Sequence, residues 1–269
     1  MASSRKYRKK WARWQKQYEK YAYKQLRDVF KTWGSQIAWE EMNELNYKVK
    51  MAEAVDSELL QEAYYNIYSK IGHLHGNRVG KEINGELKDF VPTDFLNYLT
   101  KAIIKQLKLG NNRIVTVAES FFDTIRDLFL DRLEQNKTVA ELAKEMQETI
   151  ARPDFYRWQA MRIARTESTA SANHGAFVAG ETAGYKMQKV WISANDKRTR
   201  TKPPSDYDHY EMNAKRVDYY EFFNVNGDKV MYPGDTLGQA GNVINCRCAL
   251  AVIPKRDKNG RLIRVLKPI

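Results

Sequence analysis

The chain has 269 residues, of which 43% are hydrophobic and 12% aromatic, with two cysteines and a formal net charge of +12. That length holds two modest domains or one domain with a helical extension, and the aromatic content argues for a packed core over disorder. Two cysteines exclude a disulfide scaffold, no run of about 18 apolar residues is present to span a membrane, and the basic balance points to a polyanionic partner.

The N-terminal segment Met1 to Lys6 carries charge with no apolar stretch behind it, so it does not read as a signal peptide, and the cysteine usage fits a reducing cytoplasm. The charge is placed at the ends. Residues 1–35 hold eleven Lys/Arg against Glu19 and Asp28, and residues 255–267 hold six against Asp257. The stretch between them is close to neutral.

Residues 5–40 predict a long amphipathic helix. Tyr7, Trp11, Trp14, Tyr18, Tyr21, Leu26, Val29, Phe30, Trp33 and Ile37 recur mostly at steps of three and four. Lys9, Lys10, Arg13, Lys16, Lys20 and Lys24 fill the opposite face. Two readings of this stripe stand side by side. It packs on its own domain, or it docks a partner protein or DNA, because Trp and Tyr at this density resemble interface anchors. The second reading makes Arg5, Lys6, Arg8, Lys9, Lys10, Trp11, Arg13, Trp14 and Lys16 the contact residues.

Helical pattern continues over 35–70, with Leu45, Val49, Ala52, Val55, Leu59 and Leu60 on one face. Gly72, Gly76, Gly80 and Gly85 then read as a loosened or broken helix, with His73 and His75 as solvated loop residues. Pro92-Thr93-Asp94 predicts a turn into a helix over 95–109, stopped by Gly110. Another amphipathic helix follows over 113–135. Thr138 and Glu141 form a capping box ahead of Leu142, Met146 and Ile150. Asp154 is the expected cap of a helix that ends near 180–184.

The period changes after that. Residues 186–193, 229–232 and 246–253 predict short strands. The fold class is therefore α+β: a mainly helical N-terminal half with a long basic amphipathic helix, then a smaller C-terminal α+β domain with a short sheet. The boundaries are a helical region at 1–135, a C-terminal domain at 136–254 and a basic tail at 255–269.

The C-terminal domain concentrates charge, turn residues and both thiols. Arg165-Thr166-Glu167 lies on a helix, Trp191 on a strand, and Asp196-Lys-Arg198-Thr-Arg200 follows. Pro233-Gly234-Asp235 makes a turn, and Asn245-Cys246-Arg247-Cys248 closes the set. In their order and spacing these residues resemble the phage Mu protein F-like minor head proteins, the head morphogenesis family of tailed phages. The resemblance covers about residues 136–254. It departs from the family in one place: a His usually comes shortly after the Asp-x-Arg-x-Arg run, whereas here Thr201 to Asp208 intervene before His209. Either His209 is that residue on a longer loop, or the role is lost.

The resemblance implies a minor capsid protein of a tailed phage or prophage. Such a protein resides in the virion inside the capsid near the portal, and in the host cytoplasm during assembly. The implied partners are the portal protein, capsid or scaffold proteins and double-stranded DNA, with no membrane. The implied role is in head assembly and DNA packaging or ejection. Alternatives from other classes are a metal-dependent or ADP-ribosyltransferase-like enzyme and a stand-alone DNA-binding module. No acid/base pair, nucleophile elbow or phosphate loop is recognisable, so no catalytic residue is assigned.

Two chemical expectations remain. Glu167 pairs with Arg198, Arg200 or Arg247 and locks helix to strands, in a network that includes Arg165, Trp191, Asp196 and Asn245. Cys246 and Cys248, two apart on a strand, place both thiols on one side, where His209 and a fourth group such as Asp196 or His174 complete a zinc site. The competing reading is a pair of buried, unligated thiols. Asp206 and Asp208 with His209 are a weaker divalent-ion set, against a solvated acidic loop.

Overall fold

A computed structural model describes residues 4–43, 45–86, 100–102, 104–105, 111–135, 138–152 and 154–265. The elements run α1 (Ser4–Gln36), a 3-10 turn (Trp39–Glu41), α2 (Tyr47–Ala54), α3 (Ser57–Glu86), α4 (Asn111–Leu133), α5 (Val139–Ala151) and α6 (Arg157–Glu181). After these come β1 (Met187–Ile192), β2 (Arg216–Asp218), β3 (Phe223–Val225), β4 (Asp228–Val230), α7 (Ala240–Val243) and β5 (Ala249–Pro254). The α+β class holds, with the helices mostly ahead of a small antiparallel sheet.

The core is organised around α6, which is buried on all sides from Thr166 to Ala176. Helices α1 and α3 pack along it, and β5 closes another side. A helix buried all round is usually apolar; this one carries Thr, Ser, Asn, Glu and His among its alanines. Small side chains allow close approach. A Cβ on Gly180 would meet Val252 Cγ1 at 2.5 Å, so glycine lets the sheet seat directly on the helix.

The aromatic stripe of α1 packs on the protein's own core. Tyr7, Trp11, Tyr18, Leu26, Phe30 and Trp33 are buried, and Trp14 and Tyr21 are half-buried against them. Phe30 stacks on Phe121 of α4 with centroids 5.3 Å apart, and Trp33 meets the same ring edge-on. Burying side chains of this size contributes about 1.5–3 kcal/mol each. One continuous apolar core thus runs from Tyr7 to Val252, across position 136.

Several local expectations are corrected. Residues 35–70 do not continue one helix: α1 stops at Gln36, a 3-10 turn and α2 intervene, and Leu45 and Val49 are exposed instead of sharing a buried face. Gly72, Gly76, Gly80 and Gly85 do not break α3, which runs unbroken to Glu86. The reason lies at Gly72, where α3 crosses α6 backbone to backbone against Gly175. His75 is accordingly no solvated residue. It is fully buried among the rings of Trp11, Trp14 and Tyr18. His73 lies on the same helix, within hydrogen-bond distance of Thr100 at 3.1 Å.

The Thr138–Glu141 capping box is present at the start of α5. The cap expected of Asp154 is made by its backbone carbonyl, which accepts from Arg157 N, while Tyr156 holds the N-cap position of α6. The helix expected over 95–109 falls largely outside the described residues.

Strand β1 is the centre of a sheet ordered β2-β1-β5, antiparallel throughout, with Trp191 opposite Leu250. Both its faces are covered, which is why it lacks alternation. Lys189 lies inside it, buried, its Nζ donating to Met231 O at 2.9 Å between the rings of Phe177 and Phe223. Burial lowers this amine to about 8. The third strand begins at Ala249, not at Cys246, because Asn245 takes a left-handed φ of +59° and the next three residues are held by side chains instead of a ladder.

Candidate metal centre

The Asn245-Cys246-Arg247-Cys248 segment is irregular backbone inside the protein, so each of its carbonyls needs a donor from elsewhere. Thr169 Oγ1 donates to Cys246 O at 2.8 Å, Trp11 Nε1 to Arg247 O at 2.8 Å and Asn173 Nδ2 to Cys248 O at 3.0 Å. Asn173 Oδ1 accepts from Leu250 N, and Tyr7 OH donates to Leu250 O. At the near end, Thr166 Oγ1 accepts from Asn245 N at 2.9 Å, and Arg165 donates to Asn245 Oδ1 at 3.0 Å. The small polar residues of α6, with two rings from α1, thus act as a template for the cysteine turn.

That template sets both thiols against His209. His209 Nδ1 lies 3.7 Å from Cys246 Sγ and 3.5 Å from Cys248 Sγ. The three candidate ligand atoms fall within 4.8 Å of one another, and all three residues are buried. The other ring nitrogen, Nε2, is 2.7 Å from Asn242 Oδ1, and Asn242 Nδ2 donates to Asp228 Oδ2 at 2.7 Å. Asp228 Oδ2 also accepts from Gln239 N. The carboxylate orients the amide, leaving its oxygen towards the ring. His209 therefore carries its proton on Nε2 and turns the Nδ1 lone pair to the sulfurs. The indole of Trp191 covers the imidazole edge-on at 5.3 Å.

His209 N donates to Arg200 O at 3.0 Å, so residues 201–208 form a loop that leaves and returns at one point. The His209 backbone thus lies beside that of Arg200. Within the loop, Asp208 is occupied by the backbone N–H groups of Lys202 and Glu211, which hold its carboxyl below the usual range against the effect of burial. Asp206 is exposed, and it is not brought together with Asp208 and His209 as an ion site.

Neither proposed fourth ligand reaches the thiols. His174 meets Tyr232 OH at 3.1 Å, and burial lowers it to about 4. Asp196 is taken by Arg247, with Nη2 at 2.7 Å from Oδ1 and Nε at 3.3 Å from Oδ2. The thiols themselves differ. The hydrogen bond from Cys248, aided by the guanidinium groups of Arg200 and Arg247, lowers Cys246, whereas burial pushes Cys248 well up.

The charged network is rearranged from expectation. Glu167 faces α3, accepting from Tyr68 OH at 2.8 Å, because its place on α6 points away from the strands. Arg165 instead pairs with Glu19 of α1 at 3.3 Å. Arg247 pairs with Asp196, Arg200 donates to Ile244 O, and Arg198 is exposed.

Of the proposed contact residues, Trp11 is turned inward, with 1% of its surface exposed. Arg8 donates to Ser193 O and Asn213 Oδ1, and Lys10 pairs with Glu82. Trp14 is half-buried beneath Arg78. Arg5, Lys6, Lys9, Arg13 and Lys16 are exposed. Sequence reasoning missed Thr169, Asn173, Asn242 and Asp228. The one sign of the first two was a helical run at 166–174 with no apolar stripe.

Residues 123–251 match the family model described as Phage Mu protein F like protein. Neither the curated proteins nor the solved structures offered a match. The matched segment runs from within α4 to the first half of β5 and includes the thiols, His209 and the Arg165–Glu167 stretch. Over this segment the chain is similar to the Phage Mu protein F like proteins. No helix among the described residues is long and apolar enough to cross a membrane.

Proposed function

We propose that this Mu F-like chain is a minor capsid protein of a tailed bacteriophage or prophage. It associates with the portal and lies close to the packaged DNA, and it serves head assembly and DNA packaging or ejection. The observation that carries this reading beyond the family is the outer face of α1. Lys9, Arg13, Lys16, Lys20, Lys24, Arg27 and Lys31 follow one another at steps of three or four and are all exposed. They form a single cationic ridge of about 33 Å at the helical rise of 1.5 Å per residue. The opposite face of the helix is committed to the core, so the ridge has a fixed shape and orientation before any partner arrives.

A rigid row of cations suits a polyanion: the phosphates of double-stranded DNA or an acidic band on the portal. Co-sedimentation with the portal protein of the same phage or prophage tests the reading directly. Portal binding by the whole chain supports it. Salt-sensitive DNA binding without portal binding favours the stand-alone DNA-binding module. Glu167, the carboxylate an ADP-ribosyltransferase-like site would use, is 3% exposed and turned onto Tyr68, which gives the enzyme reading no support.

A further inference from the structure

The geometry points to a zinc site formed by Cys246, Cys248 and His209, with the imidazole ligating through Nδ1 and with Asn242 and Asp228 as positioning residues. Two thiols converge here on one lone pair. An S–H group is a weak donor and Nδ1 accepts a single hydrogen bond, so only one thiol can donate to the imidazole and the other is left to the neighbouring sulfur, itself a weak acceptor. A metal ion engages all three atoms at once.

The spacing fits. In a tetrahedral site with Zn–S of about 2.3 Å and Zn–N of about 2.0–2.1 Å, the sulfur-to-nitrogen edge is about 3.6 Å. The two edges observed are 3.7 Å and 3.5 Å. The outer shell is also built as metal sites build it. A ligating histidine donates its second N–H to an oriented acceptor, which fixes tautomer and ring plane. Asn242 Oδ1 is that acceptor, and Asp228 holds it by the opposite end of the amide. Trp191 and the burial of all three residues keep bulk water away.

On binding, each thiol releases its proton to solvent and donates as thiolate, and the neutral imidazole binds without proton loss. Water takes the fourth position, since no further His, Cys, Asp or Glu among the described residues joins the cluster. The ion would staple three separate pieces: the loop ending at His209, the turn before β5 and, through Asn242 and Asp228, the β3–β4 hairpin. Two thiolates and one imidazole also suit copper(I), so metal identity is part of the test.

The experiment is metal analysis of the full-length protein purified under reducing conditions, followed by reloading with cobalt(II). One zinc per chain and the thiolate-to-cobalt charge-transfer band of a tetrahedral site support the proposal. Chelation should then lower the thermal midpoint by roughly 10 °C. Cys246→Ser and His209→Ala should lose the ion. Asn242→Ala, which keeps every ligand, should weaken zinc about 10- to 100-fold in chelator competition, a readout that survives if the ligand variants do not fold. Folded, metal-free protein that takes up no zinc or cobalt overturns the proposal. So does one that holds copper in place of zinc, or carries a Cys246–Cys248 disulfide by intact mass.

Discussion

Gly175 of α6 lies directly against Gly72 of α3, and a Cβ on Gly175 would overlap the Gly72 carbonyl oxygen and carbon. The obstruction is backbone on a neighbouring helix, so it cannot rotate away. Gly175→Ala should therefore cost at least about 1–3 kcal/mol through overpacking, despite alanine's better helix propensity. Gly80→Ala is the matched control. It sits on α3 with no atom within 4 Å of its added Cβ, and it should stabilise by about 0.5–1 kcal/mol. Denaturant midpoints of the two variants should move in opposite directions.

The same contact explains what could and could not be read in the sequence. The class, the α1 stripe, the capping box at Thr138 and the motif order of the C-terminal domain were legible because each is a local or periodic signal. The continuity of α3 through Gly72 to Gly85 was not, because the reason for Gly72 is another helix more than a hundred residues away. The thiol–imidazole cluster was half legible. The residue types were right, but the strand expected at Cys246 was wrong, because that turn is held by Thr169, Asn173 and Trp11, which no spacing rule connects to it. Asn242 and Asp228 had no signature, since a side chain that orients another side chain leaves no periodicity.

Acid should destabilise the fold from the pH of ordinary histidine titration downward. Burial lowers His75 to about 3 and His174 to about 4. Both folded values lie below the unfolded value near 6.5, so the folded state binds fewer protons between them. The stability they confer is complete above about pH 6.5 and declines as pH falls towards the folded values. Each contributes a slope of up to about 1.4 kcal/mol per pH unit in that window. His75→Phe keeps a ring among Trp11, Trp14 and Tyr18 and should flatten the dependence by one proton. Urea midpoints at pH 7, 6, 5 and 4.5 measure it.

Arg247 gives a second charge-dependent effect of smaller size. Burial raises the Asp196 carboxyl, but the hydrogen bonds and charge of Arg247 outweigh it and leave the group below its ordinary value. Its contribution is present above the unfolded value near 4 and is lost as pH falls through the folded one. Asp196 is 42% exposed, so solvent screening keeps the pair's worth modest. Asp196→Ala should nonetheless cost more than a surface pair would, because the Arg247 side chain is 9% exposed and loses its anion. A double-mutant cycle with Arg247→Met separates the pair's coupling from that penalty.

The ridge on α1 can be tested only by changing its charges and not by removing the helix. Deleting residues 1–36 would strip Trp11 from Arg247 O and Tyr7 from Leu250 O, and would open the faces of α6 and α4 that Trp11, Phe30 and Trp33 cover. Such a truncation should aggregate, and its loss of binding would say nothing about contact. Replacing Lys9, Arg13, Lys16 and Lys20 with Gln leaves every one of those buried contacts in place, since all four side chains are exposed. The thermal midpoint should stay within a few degrees of the parent. If the ridge lies along DNA, each phosphate contact removed should reduce the slope of log K against log salt by about 0.9, or by roughly 3–4 for all four. If it meets an acidic portal surface instead, the association rate with portal should fall at low salt while DNA binding keeps its slope. A variant that retains both would remove the ridge from the account and leave head morphogenesis resting on the Mu F-like segment alone.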